Sequence, residues 1–200
     1  YVPRHLKAVA RMSDRQILPD GGHVERNPAA QVQGLQHLLD IRSILNSALI
    51  EIPKQLEQAI DRGAPMLQFF RHDDGGLSLF NGSNEGNPKL IDIVLAKAKA
   101  HGKPLTSATH TGFERVVAND TLVIADTGTP STVGRGAHAG LLSFEMSVGK
   151  QRVIVNCGAY AGQDPMWQQA QRATAAHSTL VLTDQNSCEV RKDGSISAHG

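Results

Sequence analysis

The stretch from Asp20 to Pro28 sets an imidazole, a carboxylate, a guanidinium and an amide close together: His23, Glu25, Arg26 and Asn27. A guanidinium can clamp a carboxylate through two parallel hydrogen bonds. Loops of this kind carry function on a rigid scaffold. Asn27-Pro28 is also an ordinary helix start, with Asn27 as N-cap and Pro28 at the first helical position. Further histidines follow: His72 in Arg71-His-Asp-Asp74, His138 in Gly136-Ala-His-Ala-Gly140, and His177 in Ala175-Ala-His-Ser-Thr-Leu180. His72 is a candidate base, although such a residue is also a common solvated helix end. Carboxylates do not accompany the later histidines, which argues against a metal-dependent hydrolase. Arg172 is a candidate for reaching a ligand, or an ordinary exposed arginine.

The elements that position these groups fall into two halves. Up to about residue 100 the apolar residues recur at helical spacing. Leu35, Leu38, Ile41, Leu45 and Leu49 form one stripe after Pro28. Leu56, Ile60, Gly63, Leu67 and Phe70 form a second after Pro53, with Pro65 expected to break or kink the helix. A third runs from Pro88 through Ile91, Val94, Leu95 and Ala98. Residues 101–112 read as a polar linker.

The period then changes to two. Leu122–Asp126 reads as a short strand. Gly136–Val148 reads as a half-buried strand that begins at the histidine, with Leu142, Phe144, Met146 and Val148 on one face and Ser143, Glu145 and Ser147 on the other. Gly149-Lys150 is a two-residue hairpin turn with glycine first. Arg152–Asn156 returns, and Thr179–Thr183 and Cys188–Arg191 continue the pattern. The turn sets Phe144 opposite Val155 and Ser143 opposite Asn156. Simple alternation then separates His138 from Asn156, so a bulge near Gly140 is needed to bring them together.

The composition narrows the partners. A formal net charge of +1 gives no global attraction to nucleic acid or anionic membrane. No apolar run approaches the ~20 residues of a membrane-spanning helix. One tryptophan, two tyrosines and five phenylalanines are few for a sugar-stacking groove. Cys157 and Cys188 read as small buried side chains in strands rather than as a pair. A chain starting at Tyr1 and ending in a strand-like Ser195–Gly200 reads as a piece of a larger protein.

Taken in order, Asp20-Gly-Gly-His-Val-Glu25, Gly136–Val148, Val155-Asn-Cys-Gly158 and Ala175–Leu180 resemble the heparinase II/III family of polysaccharide lyases. The resemblance implies an α+β chain: the C-terminal end of an incomplete (α/α) toroid over residues 1–106, then the start of an antiparallel β-sandwich over residues 107–200. It implies β-elimination on a uronic-acid-containing glycan in the cleft between the two. That reaction needs a group to hold the uronate carboxylate, a base for the C5 proton and an acid for the leaving oxygen. The implied partner is an acidic polysaccharide or oligosaccharide, in the periplasm or cell envelope. No cofactor is required, although some members hold zinc beside the cleft.

Carried over residue by residue, the resemblance makes His23 a contact to the substrate carboxylate, with Glu25, Arg26, Asn27 and Arg172 as further substrate-binding candidates. Where the family shows His-x-His-x-Asp, this chain has Gly136, His138 and Gly140, so the presumed catalytic imidazole is absent. The family's tyrosine position is also unfilled, since Tyr1 and Tyr160 are the only tyrosines, and His72 lies nearest as a substitute. The implied metal ligands are His138, Asn156 and His177. With an amide in place of the carboxylate, this set is degenerate and expected to be empty. The alternative reading is a non-catalytic protein that binds an anionic glycan.

Overall fold

The computed structural model describes residues 2–100, 102–133, 136–183, 185–191 and 194–198; Tyr1 lies outside them. Four helices come first: α1 (Val2–Gln16), α2 (Pro28–Ser47), α3 (Lys54–Phe69) and α4 (Pro88–Lys97). Asn27 caps α2 by accepting from the amides of Ala29 and Ala30. Leu35 and Leu38 are buried, but Leu49 is 94% exposed. The helix has already closed: Ile50 N donates to Leu45 O, Leu49 N donates to Asn46 O, and Leu49 sits in the left-handed region at φ 54°. This Schellman closure removes Leu49 from the stripe.

Pro65 lies inside α3, which runs on to Phe69. The carbonyl left without a partner belongs to Asp61, an exposed residue, so water can satisfy it. Packing against α1 and α2 holds the rest of α3, with Leu56, Ile60, Gly63 and Leu67 buried. The sequence reading did not single out α1 as a helix of its own.

Strands β1 (Ser107–Ala108), β2 (Phe113–Ala118), β3 (Thr121–Asp126), β4 (Phe144–Val148) and β5 (Gln151–Ile154) form one open antiparallel sheet in chain order. A short helix α5 (Pro165–Ala170) follows, then a two-stranded sheet of β6 (Cys188–Val190) and β7 (Ile196–Ala198). The class is therefore mixed helix and antiparallel sheet. Thr179–Thr183 does not become a strand; it makes only an isolated bridge between Leu182 and Gln185, and Leu180 and Leu182 are exposed. Alternation without a neighbouring ladder does not hold an extended segment.

The helices and the sheet share one core. Phe113, Leu122 and Ile124 face the helices and join the same cluster as Leu35, Leu56 and Leu67. Phe70 meets Phe113 edge-on with ring centroids 4.9 Å apart. Such a pair contributes about 0.5–1.5 kcal/mol beyond its buried area.

Farther along, the inward face turns polar. On β4 the buried residues are Glu145 and Ser147, while Phe144 and Met146 are only partly covered and Val148 is exposed. The strand starts at Phe144, not at His138. Ahead of it Leu142 sits at φ 60° and Ser143 N donates to Gly140 O, so strand alternation does not extend back to His138. The hairpin also departs from simple register. Val148 pairs with Gln151 and Ser147 with Arg152, but Met146 pairs with Ile154. The bulge lies at Val153 on β5, opposite the Met146–Ser147 step and away from Gly140.

Candidate functional site

Three segments converge beside the sheet: residues 136–143 ahead of β4, residues 156–158 after β5, and residues 172–178 after α5. Backbone and hydroxyl groups hold them together. Ala139 N donates to Arg172 O, and Thr174 Oγ1 and Ser187 Oγ both donate to Ala139 O. Thr179 Oγ1 donates to Leu141 O. From the helical side comes the turn Phe80–Gly82. Asn81, in the left-handed region at φ 51°, donates from Nδ2 to Arg26 O, and its Oδ1 faces the backbone amide of His138 at 3.4 Å. Asn81 was missed as a site residue; its Asn-Gly turn signal was visible, its contacts were not.

His138 and His177 come together in this place. Their rings are 5.1 Å apart, and His138 Nδ1 lies 3.3 Å from His177 Nε2. Asn156 Oδ1 lies 3.2 Å from His177 Nδ1. The amide orientation follows from its other end, where Nδ2 donates to Glu145 Oε1 at 3.3 Å. Asn156 Oδ1 is thus the acceptor and His177 Nδ1 the protonated nitrogen. Burial pushes both imidazoles down, His138 to about 3 (helped by His177 and Arg172) and His177 to about 4. Both are neutral near pH 7.

Cys157 joins them. One donor atom from each of His138, Cys157 and His177 lies within 4.8 Å of the others. Cys157 is half-buried and follows the end of β5, whereas Cys188 is buried in β6. Both are free thiols, and the reading of Cys157 as a buried strand residue does not hold. The donor set fits the zinc implied by the resemblance: two nitrogens about 2.05 Å from one tetrahedral ion stand about 3.3 Å apart. His138, His177 and Cys157 would hold the ion, which would supply a Lewis-acidic centre beside the cleft.

The cleft has a volume of about 510 Å³ and is lined by His138, Tyr160, Gln168, Arg172 and Arg191 among others, with no carboxylate among the described lining residues. Arg172 reaches Ala137 O and Gly194 O, so it also fastens the cleft wall. Tyr160 and Trp167 stand 6.4 Å apart at their ring centroids, with Trp167 exposed. Gly136 opens on the same cleft, and a Cβ built there would meet no described residue within 4 Å. Gly82, at φ 72°, lines the same cleft but is crowded: a Cβ there would lie 2.9 Å from His138 Nε2.

The other sequence candidates lie outside the lining of this cleft. Arg26 is buried, forms an ion pair with Asp126, donates to Thr111 O and Gly112 O, and stacks over Phe113. Asn27 caps α2 and donates to Asn81 O. His23 is buried in its turn, where Nδ1 accepts from Glu25 N at 3.3 Å. Glu25 borders a separate hollow with Asn27 and Gln33. His72 is not a solvated helix end: it is buried with Nε2 3.0 Å from Glu145 and Nδ1 2.9 Å from Ser147. None of these five lines the cleft with His138.

Residues 100–200 match the family described as heparinase II/III-like, C-terminal. Over 181 residues the chain is 33% identical to FtsZ-localized protein C of Caulobacter vibrioides, covering 90% of this chain and 31% of that protein. It superposes on heparinase III with a TM-score of 0.76 at 12% identity, covering 90% of this chain and 35% of the other. With heparan sulfate lyase HepC from Pedobacter heparinus the TM-score is 0.72 at 19% identity, covering 91% and 32%. At these identities the superpositions speak to the fold. The chain spans about a third of the length of each relative.

Proposed function

The chain belongs to the heparinase II/III-like family, and on that premise we propose that its cleft binds an anionic, uronate-containing glycan without cleaving it. The observation that carries this reading is Gly136. At the position where the resemblance calls for a catalytic imidazole, a glycine opens onto space that no described residue fills, in a cleft that holds two arginines and no carboxylate among its described lining residues. Binding is retained in such a cleft and the base is not. His23, the implied carboxylate contact, and His72, the substitute base, are engaged in buried contacts elsewhere. The C. vibrioides relative carries a name that records localisation with FtsZ rather than a degradative activity, which agrees with a binding role.

A second reading is β-elimination by groups other than the family's usual base. Tyr160 and His138 in the same cleft favour it. The intact protein separates the two on a panel of heparan sulfate, alginate and neutral glucan. The binding reading expects retention on the acidic polymers, no retention on glucan, and no ultraviolet absorbance from unsaturated uronate. Product formation with turnover would overturn it in favour of the lyase; absence of retention on every acidic polymer would remove both.

A further inference from the structure

The geometry points to Cys157, rather than Asn156, as the third protein ligand of a divalent metal held by His138 and His177, of the borderline-soft class that zinc represents. This goes beyond the glycan reading and does not depend on it.

The donor positions come first. His138 Nδ1 and His177 Nε2 stand 3.3 Å apart, and the Cys157 sulfur lies within 4.8 Å of a ring nitrogen of each histidine. Three side chains from three separate segments put a donor each around one point. Two neutral imidazoles and one thiolate suit zinc and its neighbours; calcium and magnesium call for oxygen ligands.

Asn156 is occupied otherwise. Its Oδ1 faces His177 Nδ1 at 3.2 Å, Ser178 Oγ at 3.3 Å and Ser178 N at 3.4 Å, and its Nδ2 is turned to Glu145. A carbonyl on the far nitrogen of an imidazole is the usual support of a metal-bound histidine. Here it leaves the His177 Nε2 lone pair facing His138. Asn156 is therefore a positioning residue, and Glu145 behind it fixes the amide.

Gly140 closes the argument. It stands where the family pattern has an aspartate, and a Cβ there would come within 3.3 Å of the His177 ring and of Ser143 Oγ. A side chain at that place would crowd the His177 ring, and glycine leaves the imidazole where it stands. The anionic ligand that Asn156 lacks comes from the next residue, Cys157. On binding, the Cys157 S–H bond breaks, a sulfur–metal bond forms, and the proton passes to solvent. Without metal the thiol donates to Gln171 O at 3.4 Å. Three protein ligands leave a fourth position for water.

The test uses the intact protein, stripped with chelator and titrated with cobalt(II) and with zinc. We expect one equivalent bound and a near-ultraviolet thiolate-to-cobalt charge-transfer band. Cys157→Ser should abolish the band with unchanged circular dichroism. Asn156→Ala should keep the band and weaken affinity about 10–100-fold, as loss of a supporting hydrogen bond does. The exposed His37→Ala should change nothing. If Cys157→Ser fails to fold, zinc protection of Cys157 from alkylation in the wild-type protein, read by peptide mass spectrometry, replaces it. No metal uptake by folded protein, a band that survives Cys157→Ser, or alkylation unaffected by zinc would overturn the assignment.

Discussion

Arg26 and Asp126 lie one hundred residues apart and form a buried ion pair that joins the loop ahead of α2 to the end of β3. Asp126 also receives Gly128 N and lies 3.4 Å from Asn81 Nδ2. Arg26→Ala strands a buried carboxylate, and breaking such a pair from one side costs about 3–5 kcal/mol. Denaturant unfolding should show a loss of that order. A variant of unchanged stability with weaker glycan binding would return Arg26 to the ligand.

His72 and Glu145 make a second seam between the halves. Glu145 accepts from Leu79 N at 2.7 Å and from Asn156 N at 3.2 Å, besides meeting His72. His72→Ala should cost about 1–3 kcal/mol, the penalty of an unsatisfied buried partner. Glu145→Ala should cost more than Glu145→Gln, because the amide keeps an acceptor oxygen. Wild-type stability in His72→Ala together with lost product formation would make His72 catalytic after all.

Burial pushes the His23 imidazole below its ordinary value of 6.5, against a weaker opposite pull from Glu25. The unfolded chain therefore takes up a proton near pH 6.5 that the folded chain accepts only at lower pH. The contribution of His23 is in full effect above 6.5, falls as pH drops through that value, and levels off below the folded value. His23→Gln should flatten part of the stability loss between pH 7.5 and pH 5.5, measured by urea titration. Identical pH slopes in the two proteins would contradict this.

Arg191 lines the cleft with an exposed side chain whose guanidinium meets Glu189 and Ser197. Arg191→Ala should leave stability within about 0.5 kcal/mol, as for most surface positions. It should weaken retention on an acidic polysaccharide and reduce the salt dependence of that retention. Retention equal to wild type at low salt would take Arg191 out of the cleft's binding surface.

Gly136→His should fold as stably as the wild type, because no described residue stands within 4 Å of a Cβ there. The same panel of acidic polymers then reads whether an imidazole at this place restores elimination. Product in the variant and none in wild type would locate the lost chemistry at Gly136. A large drop in melting temperature would contradict the open space.

Local sequence determined much of this protein. Asn27-Pro28 and Asn87-Pro88 each start a helix, because an asparagine side chain satisfies the first amides and proline lacks the one that would be orphaned. The change of period from 3.6 to 2 marks the passage from helices to strands, and Gly149-Lys150 turns the hairpin with Gly149 at φ 52°. The ordered motifs carried the family resemblance. Tertiary structure alone decided which polar residues face inward. The pattern of β4 reads as an apolar face and a polar face, and it is Glu145 and Ser147 that are buried, because His72 and the backbone of Leu79 wait for them there. Arg26 looks like a ligand clamp until Asp126 is placed beside it. The bulge at Val153 and the left-handed turn at Leu142 are single-residue events that break alternation and set where His138, Asn156 and Cys157 meet. Hydrogen bonds and donor distances between residues 20 to 100 positions apart depend on the packed arrangement of both halves, and no local pattern encodes that arrangement.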